Sequence, residues 1–137
     1  MKNLFKISGI LTFVLILSVF LLPVLATSSN YSFDMRNAIV DGKKNNEFHY
    51  LSSGDVYING SQYVYESVYP TADVEKLHFT LVKNNFGFDT TIGTITADNN
   101  SSISGSFGEI KDGKYYLQIW KANRDWHYTR GSGTLSN

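Results

Sequence analysis

Short segments in which apolar and polar residues alternate run through most of the chain beyond residue 27, and Asn, Gly or Ser separates one segment from the next. In the clearest of them, Leu77, Phe79 and Leu81 are apolar and the residues between them are polar. Because successive side chains of a strand point to opposite faces, a period of two predicts half-buried strands. No segment longer than a few residues has the helical period of 3.6. The chain is therefore expected to be all-β.

The spacing of these segments favours one layered domain. About eight or nine short strands are separated by turn signals at intervals typical of sandwiches and barrels. The sequence contains no internal repeat and no linker that would divide it. We predict a single antiparallel β-sandwich of about eight strands, with a small closed β-barrel as the alternative.

Three local signals refine this prediction. Asn59-Gly60-Ser61 predicts a tight hairpin, because Asn-Gly tolerates the positive φ that such a turn needs. Gly93 lies between Ile92 and Ile95, whose spacing would place them on opposite faces, so a bulge is expected there. Asp112-Gly113-Lys114-Tyr115 matches either a tyrosine corner, in which the hydroxyl ties down a loop crossing between sheets, or a plain turn before a core aromatic.

The first 26 residues have the pattern of an export signal. Lys2 and Lys6 precede an uncharged, mostly apolar run over 7–22, and Pro23 ends that run. The residues up to Ala26 then have side chains that a signal peptidase accepts. The sequence predicts a signal peptide at 1–26 and a secreted domain at 27–137.

A retained membrane anchor is the competing interpretation of this segment. Residues 7–26 number 20, about the length that a helical span needs. However, no basic cluster follows the apolar run as a stop-transfer signal. Cleavage is therefore the prediction, and no stable membrane anchor is expected on the mature protein.

The charge of the mature chain argues against two classes of partner. Loss of Lys2 and Lys6 leaves ten basic residues against 12 acidic ones, a net charge of −2. The charges are also dispersed along the chain. Neither nucleic acid nor an anionic membrane surface is suggested by this balance.

Motifs for catalysis and metal binding are scarce. The chain has no cysteine, and its three histidines, His49, His78 and His127, have no second histidine at ligand spacing. The Gly-Ser segments lack the nucleophile-elbow pattern of a hydrolase. The 12 carboxylates are scattered, so pairing of two of them for glycoside hydrolysis would depend on the fold. No cofactor is predicted.

One loop has the spacing of a calcium-binding loop. Ile103 stands where that loop requires Gly, and no helices flank it, which excludes an EF-hand. A looser calcium site and a solvated turn remain as interpretations, and no metal site is predicted. The residues at the ligand positions are Asp98, Asn100, Ser102, Ser104, Ser106 and Glu109.

The aromatic content is the most unusual feature of the composition, with nine Tyr and two Trp. Aromatic faces can stack on sugar rings while amides and carboxylates bind hydroxyl groups, and Tyr and Trp are also enriched at protein interfaces. Core packing and cross-strand pairing would explain the same residues. We predict a contact surface from residues that alternate outward on one strand or follow in a polar loop. The outward residues are Tyr116, Gln118 and Trp120, and the loop residues are Trp126 and Tyr128.

These observations favour a secreted, non-catalytic binding module that acts outside the cell or at its envelope. Its partner would be a polysaccharide or a protein at the cell surface. The first alternative is an exported antimicrobial or competition protein, or the matching immunity partner. The second is a small hydrolase that uses carboxylates.

Overall fold

A computed structural model describes residues 27–137, and it places nine β-strands in this part of the chain. The predicted signal peptide lies outside the described residues. No helix within 27–137 is long and apolar enough to cross a bilayer. The strands are β1 (Ser28–Met35), β2 (Ile39–Asp41), β3 (His49–Leu51), β4 (Gly54–Ser67), β5 (Leu77–Lys83), β6 (Thr90–Ala97), β7 (Ser102–Ile110), β8 (Gly113–Trp120) and β9 (His127–Ser136).

Two antiparallel sheets face each other. Sheet A has the order β1-β9-β4-β7, and sheet B has the order β2-β8-β5-β6 with β3 also paired to β8. None of the strand pairs within 27–137 joins one sheet to the other, so the structure is a sandwich and not a closed barrel. The predicted sandwich is confirmed. The nine strands include β2 and β3, which have only three residues each.

The core lies between the two sheets and is built around Phe79 on β5. The rings of Tyr31 and Phe33 on β1 meet Phe79 edge-on, with centroids 6.3 and 5.9 Å away. Such pairs are favourable because the positive edge of one ring faces the negative face of another. Leu81 and Leu117 extend this cluster along sheet B, and both belong to the same buried core.

Glycines on the inner face of sheet A make room for these aromatic rings. Gly60 on β4 lies opposite Gly133 on β9, and a Cβ at Gly60 would collide with the Tyr31 hydroxyl and the Ser132 carbonyl. Gly60 therefore belongs to one continuous strand, and the hairpin predicted at Asn59-Gly60-Ser61 is wrong. Gly60 is required for close packing and not for a positive φ. A sequence pattern does not distinguish these two reasons for a glycine.

The predicted bulge at Gly93 is confirmed. Leu81 pairs with Gly93 and Val82 pairs with Thr91, so Ile92 is the extra residue on β6. An extra residue reverses the alternation beyond it. Ile92 and Ile95, three positions apart, consequently both pack against the core.

The turn before β8 forms a tyrosine corner. The Tyr115 hydroxyl donates a hydrogen bond to the Lys111 carbonyl, four residues upstream. The chain crosses here from β7 in sheet A to β8 in sheet B. The hydroxyl thus ties down a connection between sheets, which decides between the two interpretations of this segment.

Candidate functional site

The outer face of sheet B holds three of the five predicted contact residues, and Tyr116 is the most enclosed of them. Its side chain points outward as predicted, yet it is only 4% exposed. The Phe48 ring packs edge-on against it at 6.3 Å, and its hydroxyl donates to Asp89 at 2.9 Å. Burial, and to a smaller extent the hydrogen bond to Asp89, raises the pKa of Tyr116 to about 12. Outward alternation did not expose this ring, because neighbouring loops cover it.

Gln118 and Trp120 lie on the same face and are half-buried. Gln118 donates to Asp41 at 3.3 Å, and the Trp120 indole donates to the Thr80 hydroxyl at 3.0 Å. The Trp120 ring also stacks on His78, with centroids 4.2 Å apart. Both side chains are therefore occupied by neighbours within sheet B.

Trp126 and Tyr128 lie elsewhere in the fold. Trp126 has a φ of 61° and is partly exposed, with Tyr69 at 5.5 Å and the Arg124 guanidinium 3.9 Å from its ring. Tyr128 alternates with the buried residues of β9 and so lies on the outer face of sheet A. The fold does not bring the five predicted residues together, since they occupy two opposite faces and a connecting loop.

A groove on the outer face of sheet A offers a different site. Its widest part is a cleft of about 650 Å³ beside β1. The floor consists of small polar side chains that face each other across β1 and β9, with Asn30 opposite Thr134 and Ser32 opposite Ser132. The wall is the 46–49 segment that leads into β3.

The groove continues along β1 into a second cleft of about 410 Å³. Ser32 and Glu47 line both parts, so the two clefts are contiguous. The second part adds the carboxylate of Asp34 and the guanidinium of Arg130 to the lining, and Asn45 extends its wall. The groove therefore combines neutral hydroxyl and amide groups with charged groups at one end.

Asp34 is the centre of the charged end. Its carboxylate accepts hydrogen bonds from the Tyr65 hydroxyl at 2.8 Å and from Arg130 at 2.9 and 3.0 Å, and Arg36 lies 3.7 Å away. The bond from Tyr65, together with those from Arg130, outweighs desolvation and holds the pKa of Asp34 below its ordinary value. Asp34 is consequently ionised and accepts hydrogen bonds without donating any.

Tyrosines form an aromatic cluster beside this charged end. The Arg130 guanidinium lies 4.1 Å from the Tyr65 ring, and the Tyr128 ring is 6.2 Å from that of Tyr65. Tyr63 is paired with Arg130 across β4 and β9, and it is 52% exposed. Of the five predicted contact residues, only Tyr128 belongs to this cluster. We call Tyr63, Tyr65 and Tyr128 the tyrosine cluster.

The predicted calcium-loop residues are spread out by the fold. Asn100 and Ser104 use their side chains in hydrogen bonds within the protein, and Asp98 forms an ion pair with Lys76 at 3.4 Å. Glu109 lies at the far end of β7, roughly 20 Å along the strand from Ser102 at 3.3 Å per residue. No group of three or more His, Asp or Glu residues suited to a metal occurs in the described part of the chain.

Two buried histidines each contact a serine, but neither pair has the geometry of a hydrolase triad. Ser67 is 2.7 Å from His127 Nδ1, and His127 Nε2 is 2.9 Å from the Ala72 carbonyl. A backbone carbonyl thus occupies the position of the orienting carboxylate. His49, which lines the groove wall, has Nδ1 2.7 Å from the Ser29 hydroxyl.

His49 should make the stability of the domain dependent on pH. Burial lowers the pKa of His49 below its ordinary value of 6.5, so the unfolded state binds a proton that the folded state excludes. The free energy of unfolding should therefore be highest above pH 6.5 and fall towards pH 5, by at most about 1.4 kcal/mol per pH unit from this group. Urea unfolding at several pH values measures this slope. His49→Gln should have the shallower slope, and parallel curves would contradict the prediction.

Comparisons with known proteins add little to this description. No family model matches the chain, and no curated protein matches it. Among solved structures, the chain is similar to the crystal structure of Yersinia pseudotuberculosis-derived mitogen (YPM), with 12% sequence identity and a TM-score of 0.41. The match covers 80% of this chain and 86% of that one. This likeness is too distant to bear on function, which has to be argued from the groove itself.

Proposed function

We propose that this protein is a secreted, non-catalytic module that binds a polysaccharide along the groove on sheet A. The observation that carries the proposal is a continuous groove whose floor bears polar side chains and whose charged end, Asp34 and Arg130, contacts Tyr65 of the tyrosine cluster. A groove that runs along a strand suits an extended polymer better than a compact ligand. Its contiguous clefts of about 650 and 410 Å³ leave room for several sugar units.

The chemistry of the lining matches sugar hydroxyl groups, which both donate and accept hydrogen bonds. Asp34 and Glu47 supply acceptors, Arg130 supplies donors, and the small side chains of the floor supply both. The rings of the tyrosine cluster can stack on the apolar face of a sugar. Arg130 and Asp34 already hold Tyr65 in place, so little side-chain entropy would be lost on binding.

Asp34 does not have the properties of a glycosidase general acid. A glycosidase needs one carboxyl group that is protonated, with a raised pKa, to act as general acid. The pKa of Asp34 is shifted in the opposite direction, and its oxygens are engaged by Tyr65 and Arg130. Asp34 therefore cannot supply the proton, and its role in the proposal is to orient Arg130 and Tyr65.

The test is binding of residues 27–137 to a panel of polysaccharides that includes cellulose, chitin and peptidoglycan. Depletion of protein from solution measures binding to insoluble polymers, and calorimetry measures binding to soluble ones. Tyr63→Ala and Tyr128→Ala should each weaken binding roughly tenfold or more, as expected for a stacked aromatic contact.

Tyr50→Ala is the matched control. Tyr50 is 70% exposed, and it points to the face of β3 opposite to that of His49, which lines the groove wall, so its removal should leave polysaccharide binding unchanged. Failure to bind any polymer of the panel would sink the proposal. So would equal losses in all three tyrosine variants, because the groove would then have no special part in binding.

A further inference from the structure

The loop between β5 and β6 exposes two phenylalanines completely. Phe86 and Phe88 have relative exposures of 109% and 95%, which is the exposure of an isolated residue. Gly87 between them has a φ of 94°, a left-handed conformation that favours glycine. Large apolar side chains are seldom left wholly in water without a partner.

The base of this loop is fixed by hydrogen bonds. The Asp89 carboxylate accepts from the Asn85 amide at 3.2 Å, from the Tyr116 hydroxyl at 2.9 Å and from Lys43 at 2.6 Å. The Asn85 side chain donates back to the Phe88 carbonyl at 3.2 Å and to Thr90 at 2.9 Å. The phenylalanines are therefore presented by an anchored turn.

Lysines surround the base of the loop. Lys83 immediately precedes it, and the Lys114 carbonyl accepts a hydrogen bond from the Asn84 amide at 2.9 Å. Lys43 holds Asp89 on the other side. Among the described residues, Lys43 has a carboxylate within ion-pair distance, whereas Lys83 and Lys114 have none. The Lys83 ammonium donates to the Asp112 carbonyl at 3.5 Å, and that of Lys114 lies 3.8 Å from the centre of the Phe48 ring.

The net charge of the mature chain does not suggest an anionic membrane, but this loop does: we propose that it inserts Phe86 and Phe88 into the surface of an anionic lipid bilayer. Phenylalanine side chains can bury at the boundary between headgroups and acyl chains, and lysines around them meet the phosphates of the headgroups. Lys83 and Lys114 have no carboxylate partner within residues 27–137, so their ammonium groups would exchange their present contacts with a carbonyl and a ring for these phosphates. This site is separate from the groove on sheet A and does not depend on the proposed polysaccharide binding.

The size and shape of the tip favour a bilayer over a protein partner. Two phenylalanine rings bury roughly 300–500 Å² together. A stable protein interface needs about 800 Å² from each partner. Three lysines lie at the base of the loop, and lysine is depleted at protein interfaces. A bilayer accepts a small convex tip without a complementary pocket.

The experiment is co-sedimentation of residues 27–137 with vesicles of phosphatidylcholine alone and of phosphatidylcholine mixed with phosphatidylglycerol. Residues 27–137 are the mature protein that the sequence predicts, and they contain the nine described strands and their core. The protein should bind the mixed vesicles more tightly. Phe86→Ser combined with Phe88→Ser should lower the partition coefficient at least roughly 100-fold without changing the melting temperature, because neither ring contacts the core.

Lys83→Gln combined with Lys114→Gln separates the charge from the aromatic contribution. This variant should bind the mixed vesicles roughly tenfold more weakly and bind phosphatidylcholine vesicles as the wild type does. The proposal is overturned if the wild-type protein stays in the supernatant, or if the serine variant sediments equally well. It is also overturned if the phenylalanines instead cause concentration-dependent dimerisation, since a second copy would then be the occupant.

Discussion

Replacement of Lys121 by methionine is expected to lower the free energy of unfolding by about 3–5 kcal/mol, the largest loss predicted for this protein. The Lys121 and Asp125 side chains are 1% and 4% exposed and form an ion pair at 2.8 Å. The ammonium group also donates to the second Asp125 oxygen at 3.1 Å and to the His127 carbonyl at 2.8 Å. Methionine would fill the space but leave the Asp125 carboxylate buried and without its cation.

The carboxylate of Asp125 holds two segments in addition to Lys121. It accepts from the Glu75 amide at 2.9 Å and from the His127 amide at 3.1 Å. Burial raises the pKa of Asp125, but the hydrogen bonds from Lys121 and the two amides outweigh it and leave the pKa below its ordinary value. Loss of Lys121 should therefore loosen the connection that carries Trp126.

Urea unfolding and thermal melting measure this effect, and the melting temperature should fall roughly 10–20 °C. Lys76→Met is the matched control, because the Lys76–Asp98 pair is 67% and 73% exposed and should contribute less than about 1 kcal/mol. Asp125→Asn combined with Lys121→Met should be more stable than Lys121→Met alone, since it removes the uncompensated charge. Equal losses in the Lys76 and Lys121 variants would contradict the argument from burial.

Gly133→Ala is expected to destabilise the domain by about 3 kcal/mol, at the upper end of the usual cost of overpacking a core. A Cβ at this position would meet the Asn59 carbonyl, the Gly60 Cα at 2.6 Å and the Tyr31 hydroxyl at 2.7 Å. Two of these groups belong to the backbone of β4, which cannot rotate away. The strands β4 and β9 would have to separate locally, and Tyr31 would have to shift within the core.

Gly93→Ala provides the control for this prediction. A Cβ at Gly93 would come no closer than 3.8 Å to any neighbour, which is ordinary contact, so the free energy of unfolding should change little. Tyr31→Phe should not rescue Gly133→Ala, because the backbone of β4 would still be in the way. Full rescue by Tyr31→Phe would show that the hydroxyl alone excludes a side chain there.

Local patterns were sufficient to predict much of the fold. Alternation with a period of two identified the strands and the all-β class, and the spacing of turns favoured the sandwich. Gly93 correctly indicated a bulge, and the segment before Tyr115 allowed a tyrosine corner. These features depend on neighbours within a few residues, so the sequence contains them directly. The signal peptide, the contact surface and the functional hypotheses remain predictions.

The position of the groove could not be read from the sequence, because its groups come from distant parts of the chain. Asp34 and Arg130 are 96 positions apart, and Asn30 on β1 faces Thr134 on β9. Alternation gave the direction of the Tyr116 side chain correctly. It did not reveal that neighbouring loops bury that side chain.

By itself the sequence determined which segments are strands and which faces are apolar, because those properties follow from residues two positions apart. Only the tertiary structure decided that Asn59-Gly60-Ser61 continues a strand, since the ring that requires Gly60 comes from β1. Strand order likewise decided which outward side chains share a groove and which lysines gather around Phe86 and Phe88. Pairing between strands is set by contacts over the whole chain, and no local pattern encodes it.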